Sequence, residues 1–451
     1  MSQHSKDIEL KGVPTVAIAG ANMVNYARTY DFKYVNGMPI RYVAVPFPVA
    51  GQPRSVHEQY VAGKDQVSGK PLMQAIVDAL TQPLTDNELF AGKAPEAKPE
   101  PRFLAPASAA QLQRLFKDRE WTDYNPIVLP TKERVAAMLK GTHHKPDEVV
   151  KVVHPVSISR GGGGARPITV EKAAVYAVMA GAKPSYFPLI LALATQAPFG
   201  NSTSSMANTI IVNGPIRAEI GMNAGTNAMG PYNEANSIIG RAYMIMSKVA
   251  GDLRNNVSAV ESLGNNLQYN SMTIAENEEL LPEGWQPLHV QMGFKPTDSV
   301  VSVGVGWSYI SSLGEVQSLY PANMLIRDYM RSLSAFGSGA TIFVDPTVAK
   351  LLKNNQGYRT KEQFSQWLSQ NVEKTVASYW GNGVITTSNT ALAQQGLEPY
   401  AGWLKAPRDQ LIKPFINPRA INIVVVGGNI QTTWFVTDFM VRKGVLVDDW
   451  R

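Results

Sequence analysis

The apolar runs of this chain are short, and most of them stop at glycine or proline. Residues 13–19 end at Gly20, residues 40–45 at Pro46, and residues 421–426 at Gly427 and Gly428. Between such runs lie stretches with helical spacing; over 71–80, Met73, Ile76, Val77 and Leu80 share one face. Strand-length runs that alternate with amphipathic helices predict an α/β fold.

Within 1–90 the order is strand (13–19), helix (22–32), strand (40–45), helix (71–80). This predicts a small Rossmann-like α/β unit with parallel strands. Residues 91–107 follow, with Pro95, Pro99, Pro101 and Pro106 set among Lys and Glu. Such a segment favours extended, solvated backbone and reads as a Pro-rich linker. Residues 108–451 form a larger α/β region, with a division into two subdomains expected near 300–340. Helices are expected at 109–116, 132–140 (capped by Thr131, stopped by Gly141), 170–180 (capped by Thr169, closed by Gly181), 234–250, 322–335, 346–354 and 360–379. Strands are expected at 127–129, 149–158, 208–213, 272–275, 300–305, 341–344, 421–426 and 432–439.

Composition narrows the function. The chain of 451 residues contains no Cys. Disulfides, zinc–thiolate and iron–sulfur ligation, and a cysteine nucleophile are therefore excluded for this chain, and the cofactor stays undetermined. The longest apolar runs, such as 187–194, fall far short of the ~20 residues of a membrane helix. No membrane association is expected. Residues 1–12 hold Lys6, Asp7 and Glu9 without an apolar core, unlike a signal peptide, so a cytoplasmic location is expected. The net charge of +6 is spread along the chain rather than gathered into basic stripes, which argues against nucleic acid. A small polar molecule is the expected partner.

Several constellations carry candidate chemistry. Arg160, Gly161–Gly164, Ala165 and Arg166 precede a helix capped at Thr169. Backbone N–H groups and two arginines there suit an anion, with Lys172 as a base or an anion clamp, although the loop lacks P-loop spacing. The competing reading is a flexible turn. The densest unusual segment is 213–241, where Asn and Gly interrupt regular structure. Asn213, Arg217, Glu219, Asn223, Asn233 and Arg241 are candidate substrate ligands, and Tyr232 a candidate acid or hydrogen-bond donor. Its alternative is a turn network that satisfies its own backbone. Glu276, Glu278 and Glu279 crowd one turn after the 272–275 strand, with His289 close in sequence. Burial of one carboxylate would move it toward general-acid range, making Glu276, Glu278 and His289 the acid–base candidates. An exposed acidic turn is the alternative. No metal site is assigned, because no His-x-x-x-His or Asp-rich ladder accompanies them. His143 and His144 read as a surface turn, and Met222, Met229, Met244 and Met246 as core packing.

These blocks also carry a family resemblance. It is carried by Gly12-Val13-Pro14-Thr15-Val16, Val45-Pro46-Phe47-Pro48, Ile127-Val128-Leu129-Pro130-Thr131, Pro146-Asp147-Glu148-Val149-Val150 and Val170-Glu171-Lys172. They continue through 212–225, 233–242, 275–279 and Pro287-Leu288-His289-Val290. In these the chain resembles the UGSC-like (seleno)proteins, distantly similar to the selenoprotein B subunits of glycine and betaine reductases. The family's selenocysteine- or cysteine-Gly-Ser-Cys motif, which would precede 13–19, has no counterpart here. The resemblance therefore implies the large subunit of an enzyme that cleaves or forms a carbon–heteroatom bond in a small polar substrate, with a thiol or selenol from a second protein subunit. A thiol-independent lyase or hydrolase using Glu and His, and a non-catalytic structural subunit, are the other readings. A second subunit, a homo-oligomer, or both are expected.

Overall fold

The structure is a computed structural model. It describes residues 8–21, 40–47, 52–85, 102–153, 166–196, 206–251, 263–312 and 319–451, with Ser5, Val24, Val49, Leu253, Asn255 and Gly314. The expected helix at 22–32 and most of the Pro-rich segment lie outside these residues.

In the N-terminal part, β1 (Val16–Gly20) and β2 (Arg41–Val45) pair in parallel, Val16 opposite Arg41. Helices α1 (Arg54–Ala62) and α2 (Leu72–Thr81) follow. Leu72 and Ala75 of α2 bury against Val43 and Val45. The Arg41 guanidinium then donates to the carbonyls of Ala79, Gln82 and Pro83, groups that the end of α2 leaves without helical partners.

The large region begins with α3 (Ala109–Asp118), whose Ser108 and Gln111 form a reciprocal capping box. Next come α4 (Lys132–Leu139), capped by Thr131, and the antiparallel pair β3 (Val149–Val153) and β4 (Arg166–Thr169). Helix α5 (Val170–Ala180) is capped by Thr169 and closed by Gly181 at φ 87°. After it come α6 (Phe187–Gln196), β5 (Ala207–Asn213), the single turn α7 (Ile216–Glu219) and the long α8 (Glu234–Gly251). Then follow β6 (Met272–Ala275), α9 (Leu288–Gln291), β7 (Val300–Gly306) and β8 (Tyr309–Ser311). Helix α10 (Ala322–Met330), β9 (Ala340–Val344), α11 (Pro346–Asn354) and α12 (Lys361–Asn371) complete the next stretch. The chain closes with β10 (Lys374–Thr375), α13 (Val376–Trp380), α14 (Gly383–Gln394), α15 (Tyr400–Lys405), β11 (Leu411–Ile412), β12 (Ile421–Val425), β13 (Trp434–Thr437), β14 (Met440–Val441) and β15 (Val445–Leu446).

The fold is α/β, built on two mixed sheets. One runs β14-β7-β5-β6, with β15 also paired to β7; the other runs β12-β9-β13-β8. β5 and β6 are parallel, as are β9 and β12, while β7 and β13 run against them. Side chains of a strand alternate between faces, and this alternation defines the layers. Ile210 and Val212 of β5 bury against Leu189, Ile239 and Met246 of the helices. Ile342 and Val344 of β9 bury against Leu352, Phe364 and Leu368. The intervening residues, Ile211, Ile274, Phe343 and Val424, meet one another in a third cluster. The two sheets thus pack face to face, with helices on both outer faces.

Three expected elements differ. Residues 127–129 are not a strand. Between Pro126 and Pro130, the Ile127 N–H donates to the Gln113 side chain and the Val128 N–H to the Met179 carbonyl, so this backbone pairs with helices instead. The single helix expected at 360–379 is broken. Val372 leaves α12 in an extended conformation, Lys374 and Thr375 pair with β11, and Thr375 then caps α13. The 322–335 helix stops at Met330, and Ala335 takes a left-handed conformation at φ 59°.

Candidate functional site

β5 and β6 end side by side, and the residues that leave them are polar. Asn213 closes β5. Gly214 follows at φ 81°, where an added Cβ would fall 2.0 Å from the Asp298 carbonyl oxygen. Only glycine fits there, and the sharp turn brings Arg217 of α7 back under the strand ends. Across the seam, β6 runs into Glu276 and Asn277. The Asn277 N–H donates to the carbonyl of Val425, at the end of β12. The carboxyl ends of parallel strands from both sheets therefore converge on this turn, the position where open α/β sheets bind ligands.

Glu276 has no solvent exposure. Its Oε1 accepts from Lys361 Nζ at 2.5 Å and, more weakly, from the Val425 N–H at 3.4 Å. Its Oε2 accepts from Asn213 Nδ2 and from the Leu288 N–H, both at 2.7 Å. Lys361 is equally buried. Taking a carboxylate and an ammonium out of water costs several kcal/mol per ion, and only close pairing with further hydrogen bonds offsets it. Both oxygens of Glu276 have donors, so the group ties α9, α12, β5 and β12 together.

Glu278 lies at the edge of the same cluster, its side chain 13% exposed. Its Oε1 accepts from Asn213 Nδ2 at 2.9 Å and from the Gly214 N–H at 2.8 Å. Its Oε2 lies 3.1 Å from the Arg217 guanidinium. Arg217 also donates to the Gly214 and Glu276 carbonyls and grips Glu279 with both terminal nitrogens. That grip holds the Glu279 carboxyl below the ordinary glutamate range, against the smaller opposing effect of burial.

His289 is wholly buried in α9, with Nδ1 3.8 Å from Glu278 Oε1, too far for a hydrogen bond. Neither ring nitrogen has a hydrogen-bond partner among the described residues, and neither does Asn213 Oδ1. Buried polar atoms are seldom left unpaired, so these three orphans, on two residues that adjoin Glu278, mark a place for water or a ligand. Three carboxylates here (Glu276, Glu278, Glu279) meet two cations (Arg217, Lys361), leaving one negative charge in excess beside the imidazole.

The structure thus brings Asn213 and Arg217 together with Glu276, Glu278 and His289. The other expected site residues lie elsewhere. Asn223 and Asn233 bond each other and the carbonyls of Thr226, Asn227 and Gly230, holding their own loop. That loop meets the seam through its backbone: the Gly427 N–H donates to the Ala224 carbonyl, and Asn277 Nδ2 to that of Gly427. Tyr232 is 96% exposed on a turn. Glu219 pairs with Arg451 at the surface. Arg241 is held by both oxygens of Asp123. Burial alone would raise the Asp123 carboxyl, but the Arg241 and Asn125 hydrogen bonds outweigh it and the pKa falls. Lys172 lines a separate cleft, and Arg160 lies outside the described residues.

Sequence reasoning missed Lys361 and Asn277. Lys361 precedes Phe364 and Leu368 by three and seven positions, on the buried face of α12. A charge on an apolar stripe was the signal that could have found it. Among the described residues, no group of three or more His, Asp and Glu side chains is arranged to hold a metal ion, and no helix is long and apolar enough to cross a membrane.

Comparison with known family models, curated proteins and solved structures finds no match.

Proposed function

We propose that this chain is an enzyme that breaks or forms a carbon–heteroatom bond in a small polar organic substrate by carboxylate–imidazole acid–base chemistry, as a thiol-independent lyase or hydrolase. The observation that carries this reading is the set of orphaned buried atoms, Asn213 Oδ1 and both nitrogens of His289, around Glu278. A substrate hydroxyl or amide entering past the partly exposed flank of Glu278 would satisfy them. Glu278 and His289 are then the acid–base pair, each within one water of the other. Asn213 accepts from the substrate, and Arg217 fixes Glu278 and counters charge that develops on it. Glu276, with its acceptor positions filled, is a positioning residue: with Lys361 it sets where Asn213 and α9 stand.

The resemblance to UGSC-like proteins supports a different source of reactivity, a thiol or selenol from a partner subunit acting at the same seam. The chain's lack of Cys keeps that reading distinct, because all thiol chemistry would have to come from outside. Purified chain, produced alone in a heterologous host, is assayed against small hydroxy acids, amides and esters. Turnover without any added thiol protein supports the acid–base reading. Turnover that appears only when a Cys- or selenocysteine-containing partner is added overturns it.

A further inference from the structure

A second site lies at the other end of the α5–α8 layer. Lys183, just past the end of α5, pairs with Glu234 at the start of α8, so these helices run antiparallel. The end of α5 and the start of α8 lie toward the Asn-rich loop. The end of α8 is separated from it by the 18 residues of that helix, about 27 Å at 1.5 Å per residue, and the start of α5 by the 11 residues of α5, about 16 Å. A cleft of about 800 Å³ runs along α5 from Glu171 to Met179, between α3, α4 and Val249–Ala250 of α8. That volume is in the range of small-molecule pockets.

Its chemistry is two-sided. Phe116, Trp121, Leu129, Tyr176 and Met179 give it an apolar floor. Arg102, Lys132, Arg166 and Lys172 stand around the rim. Among the described residues the two rim carboxylates are already engaged. Glu171 is bonded by Arg102 at 2.5 Å. Glu133 is held by its own backbone N–H and the Thr131 hydroxyl at the start of α4, which lowers its pKa. Arg166 has no carboxylate partner among the described residues. Among the described residues the rim's cationic side chains outnumber its carboxylates. The N–H groups that open α5 are taken by Glu148, Pro146 and Thr169, so recognition of a charged group falls to side chains rather than to the helix end.

We propose that this cleft binds a small amphipathic anion, an acyl or aryl chain with one carboxylate-like head. The chain lies on Phe116, Tyr176 and Met179, and the head meets Arg166. An apolar body without charge would leave the cationic rim unused, and a compact inorganic anion would leave the floor uncovered. This assignment is independent of the acid–base reading of Glu278 and His289.

The test uses the full chain and the fluorescent aryl sulfonate 8-anilinonaphthalene-1-sulfonate. The expected result is saturable binding at one site per chain, displaced by octanoate but not by octanol at equal concentration. Arg166→Ala should weaken binding roughly tenfold, as expected for loss of a charge-assisted hydrogen bond. Arg166→Lys should restore most of it, and the thermal midpoints of both variants should match wild type. Val175→Phe, which fills the cleft from its wall, should reduce the number of bound dyes without changing the octanoate preference of what remains. Displacement by octanol as effective as by octanoate, or unchanged affinity in Arg166→Ala, would overturn the proposal.

Discussion

Glu276 and Lys361 meet at 2.5 Å, and neither side chain is exposed to solvent. They come from chain positions 85 residues apart, and their contact closes the seam between the ends of β6 and the helix that covers the second sheet. An ion pair in this setting adds less to net stability than to uniqueness of arrangement, because desolvation consumes most of the attraction. Removing one partner is different, since it strands a buried charge.

Glu276→Gln should therefore destabilise the chain by about 3–5 kcal/mol, and Lys361→Met by a similar amount. The double variant should be less destabilised than the sum of the two, since neither buried charge then remains. Urea unfolding of all four proteins measures this. Additive losses would mean that the two groups do not depend on each other.

Gly214 is predicted to be as sensitive as any core position. Gly214→Ala imposes a left-handed conformation on a residue with a Cβ and drives that Cβ into the Asp298 carbonyl, 2.0 Å away. The loss should be at least about 2 kcal/mol. Because the Gly214 N–H also serves Glu278, turnover should fall even at temperatures where the variant stays folded. A thermal midpoint equal to wild type would show that the turn relaxes freely.

The C-terminus is tied down by His144. Its Nε2 bonds the Asp449 carbonyl at 2.7 Å, its Nδ1 lies 2.9 Å from Glu148, and its ring stacks on Trp450. The Asp449 carbonyl raises the His144 pKa above 6.5, burial opposes the rise, and Glu148 adds to it. A raised imidazole pKa means that protonation favours the folded state. The stabilisation is complete below the unfolded value and fades as pH climbs through the higher folded value. Between roughly pH 6 and pH 8 the wild-type thermal midpoint should fall more than that of His144→Gln. Parallel pH profiles for the two proteins would remove His144 from the anchor.

The sequence made the α/β fold legible because its signals were local. Thr169 and Gly181 bracket α5 as expected, and Pro346–Asn354 and Met272–Ala275 stand where periodicity put them. Residues 127–129 went astray because an apolar triplet has no way to announce that its N–H groups will pair with a glutamine side chain and a helix end. The 360–379 helix went astray because the break at Val372 is set by tertiary pairing of Lys374 and Thr375 with β11. At the site, Asn213, Glu276, Glu278 and His289 drew notice as polar residues where regular structure stops. Tyr232 and Arg241 drew notice for the same reason, yet sit on an exposed turn and in a pair with Asp123. Composition identifies polar turns, but only topology tells which of them meet.

Whether His289 is an acid–base group or a core residue is decided by kcat together with stability for His289→Gln. Because neither ring nitrogen has a partner among the described residues, the substitution removes no hydrogen bond seen there. The change in unfolding free energy should stay within about 1 kcal/mol. Turnover should drop by roughly two to four orders of magnitude, and Glu278→Gln should show a comparable loss. Wild-type turnover in His289→Gln, at unchanged stability, would make His289 a core residue without a part in the chemistry.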